Sequence, residues 1–144
     1  MSKKMMVITS IVVLVIIIGI VLWFSTANNE ASGYSYSDEN ITLGYVPDGM
    51  KCEKSERTEN TLTVCFLDDL ENYFVILICN KSVHKSIDTE NGTVEYIMIN
   101  DSDAALITTP NGNTLIWYVG DFVYNLYGNI SKELMVRIAE NVNR

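Results

Sequence analysis

The chain has 144 residues and a formal net charge of −8, so it lacks the clustered lysines and arginines that nucleic acid or an anionic membrane surface requires. Its length allows one folded domain of about 100 residues beside a long apolar segment. Three cysteines and one histidine, without any C-x-x-C spacing, do not form the well-spaced set of four ligands that a zinc site needs.

The apolar segment covers residues 5–24 and contains no charged side chain. As a helix rising about 1.5 Å per residue, it is long enough to span the hydrocarbon core of a bilayer, about 30 Å thick. Lys3 and Lys4 precede it, so the positive-inside rule predicts that residues 1–4 are cytoplasmic and that the rest is exported. We therefore predict a single-pass protein of the cell membrane.

This interpretation divides the chain into a cytoplasmic tail (residues 1–4), a transmembrane helix (5–24), a flexible tether (25–40) and an extracytoplasmic domain (41–144). The tether has small, polar residues and no hydrophobic period, so a solvated linker is expected. The alternative for this segment is that its tyrosines, Tyr34 and Tyr36, touch the domain or the lipid interface. The alternative is a cleaved signal peptide, for which the small residues after the apolar segment offer a weak cleavage site.

Short alternating apolar segments, separated by turn residues, predict β-strands through most of the domain. The predicted strands are residues 41–46, 50–57, 61–67, 73–79, 93–99, 104–108, 113–119 and 122–127. The continuous apolar segment 73–79 predicts a central strand, and the charged segment 50–57 predicts an edge strand. A Pro-Asp-Gly turn at residues 47–49 and a Gly-Asp hairpin loop at residues 120–121 interrupt the pattern.

The C-terminal segment has the signals of a helix from Lys132 to about Asn141. Ser131 is suited to the N-cap, and Glu133 lies in the first turn, where the helix dipole favours an acidic side chain. The apolar side chains at helical spacing are Leu134, Met135, Ile138, Ala139 and Val142. The predicted fold class is α+β: an N-terminal transmembrane helix, then an antiparallel sheet of about six to eight strands covered by this C-terminal helix.

The three cysteines leave alternatives open. An exported compartment permits a disulfide between Cys52 and Cys65, or between Cys65 and Cys79, because each pair flanks a predicted turn. An odd number of cysteines is not a disulfide framework and favours three reduced thiols that pack as small apolar side chains.

No catalytic, cofactor-binding or metal-binding residue is predicted, and we do not expect an enzyme. His84 lies in a polar loop without a nucleophile motif, and the acidic pair Asp68 and Asp69 is expected to be solvated in a turn. Residues 101–103 (Asp-Ser-Asp) begin like a calcium loop, but the glycine that an EF-hand needs is missing. The glycosylation pattern occurs at Asn40, Asn80, Asn91 and Asn129.

Several segments together resemble a known family. They are residues 45–50 (a tyrosine and Pro-Asp-Gly-Met), 113–117 (NTLIW), the Gly-Asp turn, 124–128 (YNLYG), 129–134 (NISKEL) and 138–141 (IAEN). Over about residues 41–143 the chain is similar to the domain of unknown function 4367, found mainly in Gram-positive bacteria. The resemblance implies the extracytoplasmic part of a membrane protein, in some members similar to anti-sigma factors, and it supplies no catalytic residues.

We therefore expect a membrane-anchored extracytoplasmic domain that binds an envelope protein or ligand, in sensing or in envelope or sigma-factor-linked regulation. Only residues 1–4 precede the apolar segment, so direct sigma-factor binding in the cytoplasm is not expected. The alternative is a carrier of a lipid or another hydrophobic molecule, held between the sheet and the C-terminal helix. A cavity of a few hundred Å³ at that place is the feature that this alternative requires.

Overall fold

The computed structural model describes residues 32–84, 89 and 91–143, which form ten strands and one helix. In chain order these are β1 (Gly33–Ser37), β2 (Thr42–Pro47), β3 (Lys51–Arg57), β4 (Thr61–Leu67), β5 (Tyr73–Asn80), β6 (Thr93–Ile99), β7 (Ser102–Thr109), β8 (Gly112–Val119), β9 (Phe122–Gly128), α1 (Lys132–Glu140) and β10 (Val142–Asn143). The predicted strands from β2 to β9 and the helix are confirmed within one or two residues at each end.

The strands build two antiparallel sheets. A large sheet has the order β3-β4-β5-β9-β8-β7-β6, and a small sheet has the order β1-β2-β10. The apolar strand β5 lies inside the large sheet between β4 and β9, and the charged strand β3 lies at one edge, as their compositions predict. The other edge of the large sheet is β6, so β3 and β6 are its two ends among the described strands.

The main core lies between one face of the large sheet, the inner face, and a second layer formed by the small sheet and α1. Apolar residues in register across five strands of the large sheet form one row on this face: Leu62, Ile78, Tyr124, Trp117 and Ala104. The helix α1 contacts β2 of the small sheet and β6, β8 and β9 of the large sheet. Burial of this inner face is the main stabilising contribution to the domain.

The predicted α+β class is wrong for the described domain, which is mainly β. The single helix has nine residues, too few to cover a seven-stranded sheet. The small sheet covers the remainder of the inner face, and Tyr36 of β1 packs on Phe66 of β4 there. The sequence does not predict this layer, because β1 is polar and β10 has only two residues.

Residues 33–37, predicted as part of the tether, form the strand β1 and pair with β2. The ring of Tyr36 meets the ring of Phe66 edge-on, with 5.0 Å between centroids. Its hydroxyl lies 2.9 Å from Asp38 Oδ2 and 3.2 Å from Cys52 Sγ, and the hydroxyl of Tyr34 donates to the carbonyl of Met50 at 2.6 Å. The two tyrosines therefore dock the segment, and the domain begins before residue 41.

The helix α1 begins as its sequence predicts. Ser131 Oγ accepts a hydrogen bond from the backbone N–H of Leu134 at 3.3 Å, and Ile130 and Met135 are both buried beside this N-terminus. At the other end, the N–H of Asn141 donates to the carbonyl of Ile138 at 3.0 Å. These hydrogen bonds cap the two ends of the helix, which lies against the inner face and β2.

The predicted tail (1–4), transmembrane helix (5–24) and first part of the tether lie outside the described residues. Within residues 32–84, 89 and 91–143, no helix is long and apolar enough to cross a membrane.

Candidate functional site

The opposite side of the large sheet, the outer face, carries the most exposed large apolar side chains of the sheet. Tyr96 and Met98 of β6 are 87% and 54% exposed, and Tyr118 of β8 is 47% exposed. The pairing of Met98 with Asp103, and of Ala104 with Trp117, puts these side chains on the two strands that flank β7, on either side of Asp103. We call Tyr96, Met98 and Tyr118 the outer patch.

A second, smaller core lies under the outer face beside this patch. Its buried members are Cys79, Ile107, Ile116 and Val123. The described ends of the connection between β5 and β6 pack over the strands that carry this smaller core. Lys81 Nζ lies 5.5 Å from the centroid of the Tyr118 ring, and Gly92 packs against Ile107 at the other end. The described ends of the connection therefore contact Tyr118 at one side of the outer patch, and neither end covers Tyr96 or Met98.

The two edges of the large sheet differ in how they are protected. Edge strand β3 has a bulge between Cys52 and Lys54 and carries the exposed charged residues Lys51, Glu53, Lys54, Glu56 and Arg57. Bulges and charges of this kind prevent pairing with another chain. Edge strand β6 pairs with β7 without a bulge. Its one charged side chain, Glu95, forms an ion pair with Lys132 of α1. Among the described strands, the β6 edge is therefore the less protected of the two.

A cavity of about 300 Å³ opens on the outer face toward the other side of the connection. Its walls include Leu77, Cys79, Val83 and His84, and Asn125 lies at its base. The buried Asn125 Oδ1 has no hydrogen-bond partner among the described residues. A buried polar atom of this kind is a candidate acceptor for a water molecule or a ligand donor.

A cleft of about 370 Å³ separates the large sheet from the end of α1 and β10. Trp117 and Tyr124 form its aromatic wall, stacked with 5.1 Å between ring centroids, and Ala139 and Val142 form the opposite wall. Asn100 and other polar residues of the β6–β7 turn lie at its mouth. Its volume and place match what the hydrophobic-carrier alternative requires, but the cleft is open to solvent and its lining is more polar than apolar.

The histidine and the acidic residues singled out in the sequence lie apart in the fold. His84 lies beside the Tyr118 ring, with 6.4 Å between centroids. Asp101 lies in the β6–β7 turn, and Ser102 and Asp103 begin β7, so this segment is a hairpin rather than an ion-binding loop. Among the described residues, no three His, Cys, Asp or Glu side chains are grouped to hold a metal ion.

Asp68 differs from its expected role as a solvated residue. Its Oδ1 accepts hydrogen bonds from the N–H groups of Leu70 and Asn72, both at 2.8 Å, and its Oδ2 accepts one from the Asn72 side chain. The bond from the Asn72 side chain is the largest cause of the lowered pKa of the Asp68 carboxyl. Asp68 therefore organises the turn, whereas Asp69 stays exposed and forms a surface ion pair with Lys51.

The cysteines are all free, and the strand register explains why neither proposed disulfide forms. Cys52 points to the inner face beside Tyr36, whereas Cys65 lies on the outer face. Cys65 pairs with Val75, four residues along β5 from Cys79, which is too far for a disulfide. Burial raises the pKa of the Cys65 and Cys79 thiols, so these side chains remain protonated at neutral pH.

Of the four glycosylation-pattern asparagines, Asn129 has a clear structural role. Its Oδ1 accepts a hydrogen bond from the N–H of Tyr73 at 2.7 Å, and its Nδ2 donates to the carbonyl of Glu71 at 3.1 Å. This side chain ties the end of β9 to the turn before β5.

Sequence reasoning missed the outer patch as a site, although part of the signal was present. The alternation of β6 places Val94, Tyr96 and Met98 on one side of the strand. It does not tell which side is covered, because both sides of β6 carry apolar residues. The second layer decides this by packing on the side of Ile97 and Ile99.

The fold and these features define a mainly β domain of two layers, with an exposed apolar patch next to a sheet edge that no described strand pairs with. The family model described as Domain of unknown function (DUF4367) matches residues 40–142, so the chain belongs to this family. The resemblance inferred from the turn and hairpin segments is therefore confirmed. A comparison with curated proteins gives no match.

Proposed function

We propose that this chain is an extracytoplasmic binding domain, held at the cell membrane by residues 5–24, that recognises a protein partner through the outer patch. The observation that carries the proposal is the exposure of Tyr96, Met98 and Tyr118 on one face of the large sheet. Aromatic residues and methionine are enriched in protein interfaces, and exposed apolar patches mark interaction sites. The proposed role is sensing or regulation in the envelope.

The membrane location is supported by the sequence of residues 5–24, which carries no charge, and by the two lysines before it. Its test is external protease added to intact protoplasts that express the chain with a C-terminal tag. Loss of the tagged domain, with the remainder in the membrane fraction, is expected. A protected tag contradicts the orientation, and a released intact domain indicates a cleaved signal instead.

The binding surface is tested by photo-crosslinking in the same cells. A photoreactive residue at Tyr118 is expected to give a discrete crosslinked protein, because this position lies in the outer patch. The same residue at Glu56, on the charged edge strand β3, is the matched control and is expected to give none. Equal crosslinking from the two positions, or none from Tyr118, contradicts the proposal.

A second candidate is the carrier of a hydrophobic ligand, favoured by the cleft of about 370 Å³ beside Trp117 and Val142. The substitution Val142→Trp is expected to fill this cleft and to reduce the binding of a fluorescent fatty acid to the purified chain. Leu70→Trp, at an exposed position of the turn before β5, is the control. If the two variants bind the probe equally, the cleft is not its site.

A further inference from the structure

The open edge of β6 presents unpaired backbone groups beside the outer patch. β6 and β7 are joined by a two-residue loop, in which Asn100 has a φ of 50°, and Ile99 pairs with Ser102. In such hairpins the residues that flank the loop form a hydrogen-bonded pair, and the bonding alternates along the strand. The N–H and C=O groups of Val94, Tyr96 and Met98 therefore point away from β7. No strand within the described ranges pairs with this edge.

We infer that the β6 edge binds an extended segment of a partner protein by strand addition, with basic residues in that segment facing Asp101 and Asp103. This inference deepens the proposed function and rests on it, since it names how the partner binds. An added strand would pair with the backbone of Val94, Tyr96 and Met98, and its outer side chains would lie against the outer patch.

The charges near the edge favour a basic partner. Asp101 lies in the turn at the end of β6, and Asp103 lies beside Met98 on the outer face. Both are exposed, and neither has an ion-pair partner in the part of the chain that the structure describes. Glu95 is already paired with Lys132. We expect a lysine or arginine near the end of an added strand to form an ion pair with one of these carboxylates.

A second copy of this chain is the less favourable occupant. Each copy carries a net charge of −8, so self-pairing brings two acidic domains together. The opposite edge strand, β3, is closed by its bulge and its charges, and it cannot supply the added strand. A basic extended segment from another protein satisfies both the open backbone groups and the local charge.

The test measures binding of fluorescent nine-residue peptides to the purified full chain by anisotropy at low salt. One peptide alternates threonine and valine and has a lysine at each end, and its partner has glutamates at those ends. We expect the lysine peptide to bind at least about tenfold more tightly than the glutamate peptide, with a difference that shrinks at high salt. Failure of the lysine peptide to show saturable binding at millimolar concentration contradicts the inference.

The edge itself is tested by Tyr96→Pro, which removes an outward N–H without breaking the bonds to β7. It is expected to weaken binding of the lysine peptide at least about tenfold. Tyr96→Thr keeps the N–H and removes only the ring. The difference in peptide affinity between Tyr96→Pro and Tyr96→Thr is therefore the contribution of the backbone N–H. Glu53→Pro, in the bulge of the other edge, is the control and is expected to leave binding unchanged. If Tyr96→Pro unfolds the chain, Val94→Pro tests the next outward N–H.

Two further results would overturn strand addition. Equal binding by the wild-type chain and a folded Tyr96→Pro variant would mean that the peptide binds elsewhere. Concentration-dependent self-association in sedimentation, abolished by Tyr96→Pro, would make a second copy the occupant of the edge. If crosslinking from Tyr118 persists in the Tyr96→Pro variant, the proposed binding function stands and only its mode is wrong.

Discussion

Replacing Tyr36 by alanine tests whether β1 belongs to the folded domain. The substitution removes an edge-on contact with Phe66, a hydroxyl 2.9 Å from the Asp38 carboxylate, and part of the cover over the inner face. The aromatic pair contributes about 0.5–1.5 kcal/mol. The half-buried hydrogen bond and the lost apolar contact contribute about 1 kcal/mol each. We expect the free energy of unfolding to fall by about 2–4 kcal/mol.

The assay is urea unfolding of the purified full chain, followed by near-ultraviolet circular dichroism. Tyr36→Phe removes only the hydroxyl and is expected to cost about 1 kcal/mol. A double-mutant cycle with Phe66→Leu is expected to give a coupling of about 0.5–1.5 kcal/mol between the two rings. Ser35→Ala, at an exposed position of the same strand, is the control and is expected to change stability by less than about 0.5 kcal/mol. If Tyr36→Ala costs no more than this control, β1 is not packed on the large sheet.

Three further substitutions test local features by the same unfolding assay. Gly128→Ala would put a Cβ 2.1 Å from a backbone carbonyl oxygen of β5 and is expected to lower the free energy of unfolding by about 1–3 kcal/mol. Gly44→Ala would put a Cβ 3.1 Å from the side-chain oxygen and 3.5 Å from the backbone oxygen of Asn141, so it should cost less than Gly128→Ala. Ser131→Ala removes the N-cap of α1 and is expected to lower the free energy of unfolding by about 1 kcal/mol, whereas Ser131→Thr keeps the cap and should retain that stability. Asp68→Asn is expected to destabilise at pH 7 but not near pH 2, where wild type and variant should converge. The folded-state pKa of Asp68 is lowered, so its stabilisation is present above the unfolded pKa and is lost as pH falls through the folded one. An equal loss of stability in Asp68→Asn at both pH values would contradict this role of Asp68. An equal loss of stability in Asp69→Asn at pH 7 would contradict it as well.

Local patterns were sufficient for most of the elements. The Pro-Asp-Gly turn is present, with Gly49 at a φ of 87° and Met50 donating to the carbonyl of Pro47. The Gly-Asp hairpin is also present, with Gly120 at a φ of 57°. These predictions succeed because a positive φ, a period of two and an N-cap are properties of a few neighbouring residues. The family resemblance came from the same local segments.

The fold class failed because it depends on residues distant in the chain. The polar segment of β1 has no hydrophobic period, and only the docking of Tyr36 on Phe66 makes it a strand of the second layer. β10 has two residues, and its pairing with β2 brings the chain end onto the small sheet. Neither strand is stable alone, so no local sequence signal predicts either of them.

The sequence by itself determined the family, the strands β2 to β9, the helix and the charge of this protein. Each of these follows from residue types within one segment. The tertiary structure alone decided which face of β6 is exposed, which edge of the large sheet is open, and where cavities lie. Those properties depend on strand order, since β9 enters between β5 and β8 and leaves β6 at an edge. Burial and edge exposure belong to the assembled sheet, and no single segment specifies them.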